Sequence, residues 1–189
     1  FKATASAINT TAIGEEATAI GDNSIAVGYK ANASLDDSIA IGFDSVASEK
    51  FSTAIGKGAE ASKQYSTAIG YKAKAYATNS TAIGYKANVS SGAKNAVALG
   101  PNSYATEKDI VSVGNSDQAL GEVIQRRIVN VAKAAGTNEA LTFGNFDING
   151  STITGIKIGD TSYTFAGGGG TIDVDDALSD SSTNPVQNK

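Results

Sequence analysis

A 14-residue repeat limits the possible folds of this chain more than any other feature. Ala-Ile-Gly or a close variant ends at nine positions along the first 114 residues, with spacings of 7, 7, 14, 14, 14, 14, 16 and 14: Gly14, Gly21, Gly28, Gly42, Gly56, Gly70, Gly84, Gly100 and Gly114. Composition alone does not produce such regularity. It predicts a solenoid, in which stacked units repeat one local geometry.

Each repeat is typical of two short β-strands. In the pentad Ser66–Gly70, alternation places Thr67 and Ile69 on one face and Ser66 and Ala68 on the other. A second alternating stretch, such as Lys72-Ala73-Lys74-Ala75, follows half a repeat later, and the glycine suits a tight corner. The bulky positions are predicted to form the repeat core: Ile13, Ile20, Val27, Ile41, Ile55, Ile69, Ile83, Leu99 and Val113.

The Ala-Ile strand predicts an oligomer, because both of its faces suit burial. The Ile or Val side is bulky, and the Ala or Ser side is small enough for another backbone to approach closely. A thin single-chain roll covers only one of these faces. We therefore expect neighbouring chains to cover the other, and a parallel homotrimer around a fibre axis is the simplest closed arrangement. The alternative is a monomeric β-helix with capped ends.

The pattern changes after Gly114 to apolar residues spaced by 4, 4, 3 and 4, which predicts a short coiled-coil helix that ends near Gly136: Leu120, Ile124, Ile128, Val131 and Ala135. We expect the neck to hold the chains together, with the arginines bridging between chains and the asparagine fixing register at the axis. The predicted neck contacts are Arg126, Arg127, Ile128, Asn130 and Val131.

Repeat and neck together resemble the YadA-type trimeric autotransporter adhesins over residues 1 to about 137. The head pentad is matched at Ser38–Gly42, and the neck motif at Val111–Gly114, Arg126–Ala132 and Gly136-Thr137, although Lys133 and Ala134 lengthen the neck. The resemblance implies a left-handed parallel β-roll and an outer-membrane-anchored, extracellular protein. It also implies attachment to host matrix or cell-surface glycoproteins, and a role in virulence.

The predicted organisation has four parts: a β-roll head (1–114), a neck (115–137), a β-hairpin module with a glycine-rich end (138–170) and a linker into a stalk (171–189). The hairpin is predicted from two alternating stretches that flank Gly159-Asp160. The last part is similar to linkers in phage tail fibres. A phage or prophage fibre segment that recognises a bacterial receptor, as part of a virion, is therefore an alternative function. A passive spacer is another.

Composition argues against catalysis. The chain contains no His and no Cys, which removes Ser-His-Asp and Cys-His catalysis and His- or Cys-based metal sites. Carboxylate pairs such as Glu15-Glu16 are adjacent, so on a strand they point to opposite faces and do not converge. We expect no enzyme activity, cofactor or metal.

Charge and hydropathy bear on the partners. The formal charge of −4 argues against nucleic acid, and no apolar run is long enough to span a membrane. Contacts with a host molecule are predicted on the outward strand and the corners, where basic and aromatic residues accumulate: Lys30, Lys57, Lys72, Lys74, Lys86, Tyr71, Tyr76 and Tyr85. The alternative is that these residues only solubilise the surface.

Overall fold

A computed structural model describes residues 2–116 and 123–129 of the chain, together with three strands between residues 146 and 164. The chain divides into two compact units, Phe1–Arg127 and Ile128–Lys189. No helix is found in the described ranges. In those same ranges, no helix is therefore long and apolar enough to cross a membrane.

The first unit is a roll of two parallel eight-stranded sheets. Successive strands of the chain alternate between the two sheets, so even-numbered strands form one and odd-numbered strands the other. The first sheet contains β2 (Thr11–Ile13), β4 (Ile25–Val27), β6 (Ile39–Ile41), β8 (Thr53–Ile55), β10 (Thr67–Ile69), β12 (Thr81–Ile83), β14 (Val97–Leu99) and β16 (Val111–Ser112). The second sheet contains β1 (Thr4–Ala5), β3 (Thr18–Ala19), β5 (Asn32–Ala33), β7 (Val46–Ala47), β9 (Glu60–Ala61), β11 (Lys74–Ala75), β13 (Asn88–Val89) and β15 (Tyr104–Ala105).

The strand register follows the sequence repeat. Thr67 pairs with Thr81, 14 residues later, and only the step from Thr81 to Val97 and the matching step in the second sheet take 16 residues. The corners are paired between coils as well, since the Gly70 N–H donates to the Ile55 carbonyl at 2.8 Å. Backbone groups therefore find partners in the next coil all along the roll. The predicted parallel β-roll of 14-residue repeats is confirmed.

The space between the two sheets is filled almost entirely by alanine. The central residue of each inner strand in the first sheet has no exposed surface, as do most alanines of the second sheet: Ala26, Ala40, Ala54, Ala68, Ala82 and Ala98 in the first; Ala19, Ala33, Ala47, Ala61, Ala75 and Ala105 in the second. Serines complete this interior, and their hydroxyls close the corners; Ser80 Oγ donates to the Ala77 carbonyl at 2.6 Å. The core is therefore thin.

The prediction that the bulky residues form the core differs from the structure of the single chain. In strand β10, Ser66 and Ala68 point inwards, whereas Thr67 and Ile69 lie on the outer face. Sheets held together by alanine lie too close to admit larger side chains, so those are directed outwards. The residues that this corrects are Ile13, Ile20, Val27, Ile41, Ile55, Ile69, Ile83, Leu99 and Val113.

Glycine closes each strand of the first sheet because the corner leaves no room for a side chain. Gly56 has a φ of +127°, and a Cβ there would lie 2.5 Å from the Gly70 carbonyl oxygen in the next coil. The residue two positions after most corner glycines is left-handed, as at Lys72 with a φ of 51°. Gly21 occupies the opposite corner, so the initial seven-residue spacings are half-coils.

The segment after the roll is not the predicted helix where the structure describes it. Residues 123–129 contain no helix, and Ile124 exchanges two backbone hydrogen bonds with Asn115, at 2.8 and 2.9 Å. Those groups are therefore unavailable for helical pairing. Residues 117–122 and 130–137, which complete the helix prediction, lie outside the described residues.

In the second unit, three antiparallel strands form one sheet: β17 (Phe146–Asn149), β18 (Thr152–Ile158) and β19 (Thr161–Thr164). Ile158 is paired with Thr161, and Gly155 with Thr164. The predicted Gly159-Asp160 turn and the linker at 171–189 lie outside the described residues.

Candidate functional site

The outer face of the first sheet carries one wholly apolar column along the roll and a second column that mixes threonine with Ile and Val. It consists of two columns of side chains, one at each outward position of the strands, and we call it the apolar face: Thr11, Ile25, Ile39, Thr53, Thr67, Thr81, Val97 and Val111; Ile13, Val27, Ile41, Ile55, Ile69, Ile83, Leu99 and Val113. In the single chain Ile41 is 37% exposed and Leu99 46% exposed. A continuous apolar surface of this kind is typical of an interface.

One edge of the roll carries a column of aromatic and basic residues directly after the corner glycines. We call its central part the lysine–aromatic ridge: Phe43, Lys57, Tyr71, Lys72, Tyr85 and Lys86. The rings of Tyr71 and Tyr85 are stacked, with centroids 5.3 Å apart and planes 10° apart. Stacking follows from the register, because equivalent residues in successive coils are one strand separation apart, about 4.8 Å.

The three ridge lysines are positioned by aromatic rings. Lys57 Nζ lies 5.0 Å from the ring centre of Phe43, Lys72 Nζ 5.5 Å from that of Tyr71, and Lys86 Nζ 5.2 Å from that of Tyr85. These are cation–π distances, which orient an ammonium group without neutralising its charge. No carboxylate in the described ranges lies within ion-pair distance of any of the three.

Other lysines of the predicted binding surface are paired. Lys30 Nζ lies 3.7 Å from a Glu16 carboxylate oxygen, and the Tyr29 hydroxyl together with that carboxylate raises the pKa of Lys30. On the outer face of the second sheet, Lys74 is 3.5 Å from Glu60, and the Tyr76 hydroxyl donates to the same carboxylate. The Tyr76 hydroxyl, followed by Glu60, raises the pKa of Lys74, while burial and then Glu60 raise that of Tyr76.

The opposite edge carries a ladder of amide and carboxylate groups at the left-handed positions. Asn9 Nδ2 donates to Asn23 at 3.1 Å, and Asn95 Nδ2 donates to Asp109 at 2.7 Å. Phe51 and Tyr65 interrupt the ladder with stacked rings 5.0 Å apart. Each link joins equivalent positions of successive coils, so this edge stabilises the stack.

Arg126 closes the last coil of the roll. One guanidinium nitrogen donates to the Val113 carbonyl at 2.5 Å and to Ser103 Oγ at 3.1 Å, and the other donates to the Pro101 carbonyl. This differs from the predicted bridge between chains, because Arg126 here satisfies groups at the end of its own roll.

The other four residues predicted to form neck contacts are either exposed or outside the described part of the chain. Arg127 is exposed, and Ile128 is 70% exposed, so their predicted contacts with other chains stay predictions. Asn130 and Val131 lie outside the described residues. In the described ranges, no group of three or more acidic side chains is arranged to hold a metal ion.

Sequence reasoning missed the stacking partners Tyr29, Phe43, Phe51 and Tyr65. Tyr29 and Phe43 stack at 5.1 Å, in the same column as Tyr71 and Tyr85. The signal was present, since aromatic residues 14 positions apart must become neighbours once the repeat length equals one coil.

The chain was compared with known proteins in three ways. The family model described as YadA head domain repeat matches residues 5–31, 19–45, 33–59, 61–87 and 91–109. A solved structure that matches is the crystal structure of the collagen-binding domain of the Yersinia adhesin YadA. It is 26% identical, with a TM-score of 0.64, and the match covers 72% of each chain. No curated protein matches.

These matches cover the stretch that forms the alanine-filled roll, the corner glycines and the in-register strands. They confirm the resemblance to YadA-type adhesin heads. This chain belongs to the YadA head domain repeat family.

Proposed function

We propose that this chain is the head of a homotrimeric, non-enzymatic surface adhesin that attaches to host matrix or cell-surface molecules. The observation that carries the proposal is the apolar face, which runs along the roll and remains partly exposed in the single chain. A soluble rod does not leave such a face in water, so three parallel chains cover it around a common axis.

The interior of the roll supports the assignment of this face to the subunit interface. Alanine and serine already fill the space between the sheets, so the apolar face has no partner within the roll. By contrast, the outer face of the second sheet carries Asn32, Glu60, Lys74 and Asn88, which suit water or a ligand. The trimer therefore presents its polar sheets and edges outwards.

Attachment by such a rod needs no deep pocket. The repeated edges present similar groups in successive coils, and three chains multiply every contact, so weak individual contacts give useful avidity. The matched Yersinia structure is a collagen-binding domain, which supports a matrix molecule as the partner. An extracellular position, with outer-membrane anchoring by other parts of the protein, follows from this function.

Attachment can be tested with beads that carry the 1–189 chain. The beads are counted on surfaces coated with collagen or other matrix proteins and on cultured host cells, beside beads coated with albumin. We expect attachment to at least one matrix or cell surface, and reduced attachment for a chain made monomeric at the apolar face. A trimer that attaches to none of these surfaces would contradict adhesion and favour a passive spacer.

A further inference from the structure

Charge is segregated along the roll. Residues 1–49 contain two basic and seven acidic side chains, and residues 50–94 contain seven basic and one acidic, so the formal charges are 2 − 7 = −5 and 7 − 1 = +6. Because successive coils are stacked in register, this order in the sequence becomes an order along the roll. The overall charge of −4 therefore conceals a strongly basic zone.

Within this basic zone, the charge of the lysine–aromatic ridge is left unneutralised. Lys57, Lys72 and Lys86 contact rings and no carboxylate among the described residues, whereas Lys50 is held by Asp36 and Lys74 by Glu60. The three ridge lysines project from three successive coils on one edge. Coils are about 4.8 Å apart. Lys72 and Lys86 occupy equivalent positions, whereas Lys57 lies one position earlier in its coil, in register with Tyr71, so the three ammonium groups form a short, staggered row.

A row of this kind fits a linear polyanion. A chain with repeated negative groups can contact all three lysines at once. Nucleic acid fits less well, because Tyr71 and Tyr85 stack on each other and each ring also has a lysine ammonium group over it, which leaves little ring surface on which a base could stack. Their edges and hydroxyls suit the hydroxyl and sulfate groups of a sugar chain.

We propose that the lysine–aromatic ridge binds a linear sulfated polysaccharide, with Lys57, Lys72 and Lys86 contacting successive sulfate or carboxylate groups. The inference deepens the proposed function, because such polysaccharides are found on animal cells and in their matrix. It rests on the proposed function in one respect, since only a trimer presents three ridges on each head. Binding is electrostatic and multivalent, so it weakens steeply as salt rises.

The test measures binding of the 1–189 chain to immobilised heparin as a function of salt. The ridge variant is Lys57→Gln, Lys72→Gln and Lys86→Gln in one chain. The matched control, Lys63→Gln, Lys94→Gln and Lys108→Gln, removes the same charge from exposed lysines away from the ridge. We expect the ridge variant to lose about tenfold or more in affinity and to show a shallower salt dependence, and the control to lose far less.

Three further measurements distinguish binding of a sulfated polysaccharide at the ridge from nonspecific attraction between opposite charges. Replacing the ridge lysines with arginine should retain binding, desulfated heparin should bind weakly, and a single-stranded oligonucleotide of similar charge should bind less tightly than heparin. Equal losses in the two triple variants, or tighter binding of the oligonucleotide, would overturn the proposal. The mass and the matrix attachment of each variant are measured in parallel, so loss of heparin binding alone leaves the adhesin proposal intact.

Discussion

At the scale of single residues, the roll depends on positions where a side chain would collide with the next coil. The corner glycines combine a positive φ with close approach to the neighbouring backbone. The φ of +127° at Gly56 lies in a region that other residues rarely adopt. The sequence predicts these corners, because glycine recurs at the repeat interval and tolerates such conformations.

Replacing Gly56 with alanine should destabilise the roll strongly. The added Cβ would meet the Gly70 carbonyl, and the strained φ alone costs about 1–3 kcal/mol. Thermal and denaturant unfolding measure the effect. Gly92→Ala is the control, because a Cβ there meets nothing within 4 Å and the φ is not positive. Similar unfolding curves for the two variants would contradict this account of the corners.

The ion pair between Asp36 and Lys50 predicts a response to acid. Lys50 Nζ lies 2.7 Å from Asp36 Oδ2, and this hydrogen bond, followed by the Asp22 backbone N–H, lowers the pKa of Asp36. A carboxyl with a lowered folded-state pKa stabilises the fold above its unfolded pKa. That contribution is lost as the pH falls through the lowered value.

Wild type should therefore lose more stability than Asp36→Asn when the pH falls from about 5 to about 2. Both groups are exposed, so the difference is small and disappears in high salt. Melting temperatures at several pH values measure it, with Asp44→Asn as a control because Asp44 forms no ion pair in the described ranges. Parallel losses in all three proteins would show that the pair contributes nothing.

At the scale of elements, each strand is too short to be stable alone and depends on the strands above and below it. No strand of the roll follows the last coil in the part of the chain that the structure describes, and Arg126 supplies donors to carbonyls at this end instead. The sequence singles out this arginine but does not identify its partners. An arginine is equally suited to capping its own coil and to bridging two chains, so the residue type alone does not distinguish the two roles.

Arg126→Ala should loosen the end of the roll. Hydrogen bonds to charged groups contribute about 1.5–3 kcal/mol, so amide exchange should accelerate at Val111–Gly114 before it does so in the central coils. Arg127→Ala is the control, since Arg127 is exposed. If exchange at Val111–Gly114 is unchanged in Arg126→Ala, or changes equally in both variants, Arg126 is not the cap.

The 16-residue coil should accommodate a larger buried side chain than the 14-residue coils do. Val89 is the only fully buried side chain larger than alanine in the hydrophobic core that the structure describes, and it lies in that coil. Val89→Ala should cost about 1–3 kcal/mol by leaving a cavity, and Ala75→Val about the same by overpacking a 14-residue coil. Unfolding of both variants tests this; a stabilised Ala75→Val would show that the other coils have spare room.

The sequence predicts the strands, their alternation and their register because all three are consequences of one repeat length. It does not say which face is inside, since Ala and Ile are both apolar and alternation is symmetric with respect to the two faces. It likewise predicts a helix around Ile124 and Ile128, because apolar spacing cannot reveal that the Ile124 backbone pairs with Asn115. Tertiary contacts decide both points.

At the scale of the whole molecule, the alanine core and the apolar face belong together. A roll thin enough to be filled by alanine must direct its bulky residues outwards, and in the proposed trimer neighbouring chains cover those residues. We therefore expect the stability of the head to depend on assembly and on protein concentration.

A charge placed on the apolar face should separate the chains. Ile69→Asp would place a carboxylate in the proposed subunit interface, where it would lose its hydration, so the variant should have a lower mass and a lower melting temperature than wild type. Ser62→Asp, at an outward position next to strand β9 of the second sheet, is the matched control and should leave the mass unchanged. The reverse pattern would assign the interface to the second sheet.

The solution mass of the 1–189 chain, measured by light scattering across a dilution series, tests the central claim most directly. A mass near three times 19.1 kDa that persists on dilution is the predicted result, because the proposed trimer is what covers the apolar face. A stable species of 19.1 kDa would contradict the account, since it would mean that a single roll tolerates its apolar face in water.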